Sequence, residues 1–480
     1  MSHLLDYLKS NAESNADSIA IETESEQITW ANFYSLVTLW ANILFTRGIN
    51  EGKRAGIFIS NPIEYSTALY AVIASGATVV ALNPGHIRDS IQRSEIDYII
   101  TSSKNNLYLN YNDKKYIRII QIGIELPKIA EVRLTSLNIS LKPDEPSFAL
   151  FSSGTSSEPK LVMHTLQKAT RSAELQVAHI NMTRLDCLFH SLPLHASFSI
   201  ALLNTAIVAC ATLIIRSGFN VSNVIQDNSL KKSTLFACVP TMMIELLHYP
   251  ITNTSSVFAR GSLIISSGAV LPAAVMSDFA HKFGVKVLNL YGSTEALGGI
   301  AGTTSHGEYP AGSIGVPYPE TELRIVDEVG CDVPNNTTGL LMVKGPHLLD
   351  TGFMFTGDLA QQNDEGIYFL MGRATDTIVS GGMNIHPTEV ESVILEHPDV
   401  LQCVVFPVED DLFGEVPHAA IVLKQKRDTI EVSREIREYC EQRLSRYSSP
   451  KKIVITDRIP VTSVGKMSRR SIARTLYNSF

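Results

Sequence analysis

The sequence predicts an α/β protein. A large amino-terminal domain of strand–helix layers, with mostly parallel sheets, is followed by a small α+β lid domain. Two observations carry this expectation. Short apolar runs alternate with helix-length segments through most of the chain, and beyond about residue 373 charged helices and short strands take over. Composition agrees. The chain has 480 residues, 45% hydrophobic and 18% charged, which suits ordinary globular cores.

Residues 29 to 48 read as a helix. Thr29 can cap it, and Phe33, Leu36, Val37, Trp40, Ala41 and Leu44 recur at helical spacing. Gly48 stands where a helix stops. "AGIFIS" then predicts a short buried strand, "PIEYSTALYAVIAS" a helix and "TVVAL" a second strand. The same order returns at "SLIISS", "PAAVMSDFAHKFG" and "VKVLNL". Ligands on such sheets bind at the carboxyl ends of strands. Both "FALFSSGTSSEPK" and "VKVLNLYGSTEA" place a polar, glycine-containing turn at that end. Near the carboxyl terminus "REIREYCEQRLSR" predicts a charged helix, and "LQCVVFPV" and "HAAIVL" predict strands. The join falls at "GRATDTIVSGG", a segment suited to a hinge. The expected division is 1–372 for the large domain, 373–376 for the hinge and 377–480 for the small mobile domain.

Charge and cysteine usage exclude several function classes. A net charge of −8 argues against non-specific nucleic-acid binding. Six cysteines, at 187, 210, 238, 331, 403 and 440, form no C-x-x-C pair, which fits reduced thiols and not a disulfide or zinc framework. "MSHLLDYLKS" lacks the features of a signal peptide. The longest apolar run, 202 to 215, is too short to span a bilayer. A soluble cytoplasmic protein without a membrane span is expected.

"FSSGTSSEPK", residues 151 to 160, gathers Ser152, Ser153, Gly154, Thr155 and Ser156 ahead of Lys160. Such runs are usually linkers or turns. Here backbone N–H groups, hydroxyls and the lysine can also surround phosphate oxygens. The segment is not G-x-x-x-x-G-K-[ST], so that loop's fold is not implied. "LYGSTEA" puts Thr294 and Glu295 just after a strand. A hydroxyl there can contact a phosphate and a carboxylate can hold magnesium, or the pair can be a helix cap and a first-turn acid. "FTGDLA" places Asp358 in a tight turn, where its carboxylate can accept from two ribose hydroxyls or close an ordinary Asx turn. Arg373 in "MGRATD" and Lys466 in "VTSVGKMSRR" read, each alone, as solvated charges.

In this order the segments resemble the adenylate-forming superfamily of AMP-binding enzymes. That group holds acyl- and aryl-CoA synthetases, luciferases and the adenylation domains of peptide synthetases. The resemblance covers nearly the whole chain. It runs from "QITWANFYSLVTLWANILFTRGINEGKRAGIFISN" through the phosphate loop, "YGSTE", "TGD" and "GRATDTIVSGGMNIHPTEVE" to the terminal "GK". It implies that Ser152 to Ser156 and Lys160 embrace the β- and γ-phosphates of ATP. Ser267, Gly268 and Ala269, with Asn289, Tyr291 and Gly292, would border the adenine and the acyl pocket. Thr294 would touch the α-phosphate and Glu295 would hold Mg2+. Asp358 would bind the ribose, helped by Arg373. Lys466 would reach the α-phosphate and the substrate carboxylate. Gly381 and Gly382 would leave room for a pantetheine arm, either that of CoA or the phosphopantetheine of an acyl carrier protein.

The resemblance implies ATP-dependent activation of a carboxylic acid, then thioester formation. "LPLHASFSIALLNTAIV" aligns with the family's acyl pocket and lacks the Asp that amino-acid-activating members carry. With His195 and Phe198 it suggests an aliphatic or aromatic acid without an α-amino group; a packed core histidine is the other reading of His195. The last 38 residues hold nine Lys or Arg against one acid, Asp457, which suits CoA phosphates, an acidic carrier helix or plain solvent. The sequence also departs from the pattern. Ser157 and Leu161 replace glycines around the phosphate loop, and Thr375 replaces the usual hinge acid or lysine. The linker "HLLDTGFM" is short. These departures keep open a catalytically silent adenylate-binding relative. The lead expectation is an acid–CoA ligase, with a stand-alone enzyme loading a carrier protein as the alternative.

Overall fold

A computed structural model describes residues 2–102, 117–122, 142, 144–152, 160–251, 254–459, 469 and 472–473. The helix Trp30–Thr46 begins at Thr29, whose Oγ accepts the Asn32 N–H at 3.3 Å. Its apolar stripe, including Phe33, Leu36, Trp40 and Leu44, is fully buried. Burial of each such side chain contributes roughly 1.5–3 kcal/mol. Gly48 just beyond it adopts φ 86°, which ends the helix. The next helix, Pro62–Ala74, is buried on every side, starting from an Asn61 cap with Pro62 in its first turn.

These helices cover two sheets. The smaller has six strands in the order Arg118–Ile122, Tyr98–Ser102, Arg54–Phe58, Thr78–Ala81, Pro146–Phe151 and Leu161–Thr165. All neighbours are parallel except the last two, which are antiparallel. The segment 152–160 joins that antiparallel pair. The larger sheet has thirteen strands. Its centre, including Cys187–His190, Leu235–Cys238, Leu263–Ser266 and Lys286–Ser293, is parallel.

From Lys286–Ser293 onward the larger sheet becomes antiparallel, through Gly298–Gly302, Ser313–Pro317, Tyr368–Arg373, Met354–Gln362, Gly339–Lys344 and Glu322–Val326. The expected α/β body is present, its sheets mixed: parallel through most of the six-stranded sheet and the centre of the larger one, antiparallel beyond Lys286–Ser293.

Beyond Arg373 lies a separate five-stranded sheet: Met383–Ile385, Ile378–Ser380, Gly414–Leu423 and Val400–Asp410 in antiparallel order, with Lys452–Ile455 added parallel. Helices Pro387–Leu395 and Thr429–Glu441 cover it, and Ile378, Val390, Ile394, Val405, Ile421 and Ile436 form its own core. The α/β body with a small α+β unit is therefore present. All six cysteines are unpaired. Among the described residues no helix is long and apolar enough to cross a membrane.

Candidate active site

The strand Lys286–Ser293 runs parallel to its neighbour Leu263–Ser266 and then turns back as a hairpin with Gly298–Gly302. Gly292 lies inside this strand and not in the turn, which is a correction. A β-carbon there would stand 2.2 Å from the Gly298 carbonyl oxygen, so the close pairing itself requires glycine. The turn is Thr294–Ala296, capped by Ser293 Oγ accepting the Ala296 N–H, and closed by Leu297 at φ 46°. This presents buried Thr294 and partly exposed Glu295 side by side.

Thr294 Oγ lies 3.4 Å from the Oγ of Ser197, the first residue of the helix Ser197–Ala209. Among the described residues that helix has no side-chain cap, and its first N–H groups and positive dipole end adjoin Thr294. Glu295 offers one carboxylate. Among the described residues no cluster of three His, Cys, Asp or Glu could enclose a metal. One carboxylate completed by phosphate oxygens and water is a normal magnesium donor set, so the residues present fit that ion only together with a nucleotide.

Of the phosphate loop, Ser152 and Lys160 are described, while Ser153, Gly154, Thr155 and Ser156 lie outside the described residues. The Ser152 N–H donates to the Lys160 carbonyl at 2.8 Å and closes the base of the loop. The Lys160 residue is exposed. Sequence reasoning missed His164, four residues on. Its buried Nε2 donates to the Thr294 carbonyl at 2.7 Å, linking the two sheets. Burial pushes its pKa down to about 4, against the opposing effect of that hydrogen bond, so the ring is neutral near pH 7. The signal was available: in Leu161–Thr165 the inward positions are Val162 and His164, and a polar ring at an inward strand position needs a partner.

Asp358 corrects the sequence expectation. It sits in the strand Met354–Gln362, directly opposite Arg373, and not in a tight turn. The left-handed residue is Gly357, at φ 79°. Arg373 Nε lies 2.8 Å from Asp358 Oδ1, and Tyr291 Oη donates to Oδ2 at 2.5 Å. Burial, then the neighbouring carboxylate, raise the Tyr291 pKa well above its ordinary value, so the phenol remains a donor. The carboxylate is thus held rigidly, and Tyr291 acts on Asp358 as its donor.

Ser267 and Gly268 follow the strand Leu263–Ser266, with Gly268 at φ 89° beside Val239, and Ala269 is exposed. Asn289 is buried, and its amide donates to the Ser313 carbonyl at 2.8 Å. Phe198 packs on the main core. His195 lines a largely apolar cavity of about 230 Å³ with Tyr65, Leu82, Pro84 and Leu194, between the two sheets. Its Nε2 is buried and has no hydrogen-bond partner among the described residues, and burial lowers its pKa to about 4. Gly381 and Gly382, at φ 58° and 83°, form the two-residue turn between Ile378–Ser380 and Met383–Ile385. Two positive φ values are what a type I′ hairpin needs. A β-carbon on Gly381 would meet the Phe413 ring at 3.1 Å, whereas the space beyond Gly382 is open. Lys466 lies outside the described residues.

Comparison with known proteins places this arrangement. The chain is 28% identical to the 2-succinylbenzoate–CoA ligase of Bacillus subtilis strain 168, over 97% of both chains. It superposes on o-succinylbenzoate CoA synthetase from Bacillus subtilis, in complex with ATP and magnesium ion, with TM-score 0.81 and 26% identity over 97% of this chain and 98% of that one. The fold also matches an anthranilate CoA ligase in complex with anthranoyl-AMP, at TM-score 0.88 and 23% identity over 100% and 98% of the two chains. The AMP-binding enzyme family model matches residues 8–351, and the model of the AMP-binding enzyme C-terminal domain matches residues 389–466. With the two models spanning body and lid alike, the chain belongs to the AMP-binding enzyme family.

Proposed function

We propose that the protein is an AMP-forming ligase that activates an aromatic carboxylic acid with ATP and passes the acyl group to CoA. The observation that carries this reading is the facing of Thr294 and Glu295 with the base of the phosphate loop across the His164 bridge. Relatives named as aryl acid–CoA ligases support the aromatic class.

An acid carboxylate oxygen bonds to the α-phosphorus of ATP and pyrophosphate leaves. Repulsion between the acid and the triphosphate is the main barrier, and positive groups offset it. Lys160, the phosphate-loop residues Ser152 to Ser156 and the helix end at Ser197 bind and orient the phosphates. Thr294 donates to the α-phosphate. Glu295 would hold Mg2+, which supplies further charge neutralisation when bound. Asp358, fixed by Tyr291 and Arg373, takes the ribose hydroxyls, and Ser267 to Ala269 border the adenine. Lys466 from the small domain contacts the transferring α-phosphate. Rotation about residues 373–376 of the small domain, 377–480, against the body, 1–372, then withdraws it. The thiol loses its proton, its sulfur bonds to the acyl carbon, and AMP leaves.

The acceptor is CoA on this reading. In the small domain Arg437, Arg446 and Lys451, against one acid, Glu441, line a cavity of about 420 Å³ with Ser449 and Pro450. Lys451 Nζ stands 5.8 Å over the ring of Phe413, which also packs on Gly381. Ser449 Oγ is buried without a partner among the described residues. Cations and a free hydroxyl suit the CoA phosphates. The apolar cavity at His195 supports an uncharged organic segment. A reducing, cytoplasmic setting belongs to this reading and is supported by the unpaired cysteines.

The test offers a panel of aromatic and aliphatic acids with ATP, magnesium and either CoA or an acyl carrier protein. Pyrophosphate release dependent on an aromatic acid, with acyl-CoA as product, is expected. Transfer to the carrier alone would select the carrier-loading alternative, and absence of acid-dependent pyrophosphate release would remove the catalytic reading.

A further expected result concerns the turn. Gly382→Asn tolerates positive φ while filling the open space, and Gly382→Leu fills it further. Both should leave adenylation near parental and slow thioester formation. Equal loss in both half-reactions would assign the glycines to folding of the small sheet.

A further inference from the structure

We infer that His164 is a positioning residue: it sets the distance between Lys160, at the base of the phosphate loop, and the turn that carries Thr294 and Glu295. The inference rests on the proposed roles of those two residues. His164 belongs to the edge strand of the six-stranded sheet, which emerges directly from Lys160. Thr294 belongs to the turn at the end of a strand in the other sheet. The single ring–carbonyl bond at 2.7 Å joins the two across 130 residues of sequence.

The turn needs an external hold. Leu297 closes it in a left-handed conformation, which a branched side chain disfavours. The Thr294 carbonyl accepts from the Leu297 N–H at 3.1 Å within the turn, and its second lone pair takes His164. Ser172 Oγ adds one more bond, to the Leu297 carbonyl at 3.2 Å, but that bond comes from a helix and not from the phosphate-loop strand. Among the described residues His164 is therefore the side chain whose hydrogen bond couples the turn to the strand from Lys160. Since a carbonyl only accepts, Nε2 carries the proton, and Nδ1 has no partner among the described residues. The ring thus spends one nitrogen on this bond and none on local packing. Glu295, Lys168 and His347 are the charged or titratable groups that face it.

A phosphate chain bound at both sides must match their separation, and small misplacements are costly in rate. Glutamine can place an amide N–H near the position of Nε2, whereas leucine cannot. His164→Leu is therefore expected to raise the calorimetric dissociation constant for magnesium–ATP about tenfold, the effect of one net hydrogen bond. The magnesium concentration for half-maximal pyrophosphate release should rise in parallel, with the KM for the acid little changed. His164→Gln should restore both to within about threefold of the parent.

Glu295→Gln is the control for the underlying reading. If it leaves the magnesium dependence unchanged, the assignment of Glu295 has failed and the inference falls with it. If Glu295→Gln shifts that dependence while folded His164→Leu binds magnesium–ATP like the parent, the inference alone is wrong. A lowered melting temperature with unaltered binding in His164→Leu would likewise reduce His164 to a packing residue and overturn it.

Discussion

Lys466→Ala is expected to lose acyl-adenylate formation by about 10²- to 10³-fold, roughly 2.7–4 kcal/mol of transition-state stabilisation. The cause is the removal of a positive charge from the point where the acid carboxylate meets the α-phosphate. The loss should be confined to the first half-reaction. Thioester formation from a supplied acyl-adenylate should remain near parental, because on the proposed mechanism the lysine is withdrawn before the thiol reacts. Pyrophosphate release and single-turnover thioester formation, measured separately, check this, with folding followed by thermal melting. A well-folded variant that adenylates at the parental rate would remove Lys466 from the mechanism. Equal loss in both steps would mean that the small domain does not alternate between two positions, and attention would pass to Thr375, in the segment 373–376 proposed as the hinge.

Asp358→Ala should weaken ATP binding most among substitutions in the body of the enzyme. Two hydroxyls hydrogen-bonded to a carboxylate are worth about 1.5–3 kcal/mol each, so the ATP dissociation constant should rise about 10²- to 10⁴-fold. The structure adds a second effect. Tyr291 Oη and Arg373 both use this carboxylate, and the phenol is buried. Losing this acceptor leaves the buried hydroxyl and the guanidinium less well paired, so the melting temperature should fall as well. Asp358→Asn keeps the shape and one acceptor oxygen and should lie between parent and alanine in affinity. An unchanged ATP affinity in both variants, by calorimetry on folded protein, would take the ribose role away from Asp358.

Much of the fold around the candidate site was legible because its segments follow local rules. The Thr29 cap, the helix from Pro62 and the strand before Thr294 are set by residues within a turn of one another. Asp358 shows where such rules stop. A TGD tripeptide reads as a turn, yet pairing with Tyr368–Arg373 holds it extended and gives the left-handed conformation to Gly357 alone. Gly292 is similar: what demands glycine is the approach of Gly298, which belongs to the returning strand.

By itself the sequence determined the α/β body with its small α+β unit, the order of the motif segments and the family to which they belong. Apolar periodicity, caps and motif spacing are properties of contiguous residues, and a linear string records them. Only the tertiary structure decided which groups meet. The switch of the large sheet from parallel to antiparallel depends on strand pairing across the sheet. Tyr291 reaches Asp358 across 67 residues, and His164 reaches Thr294 across 130. A buried hydrogen bond between distant residues leaves no mark in either local segment, because the fold, and not chain proximity, brings donor to acceptor.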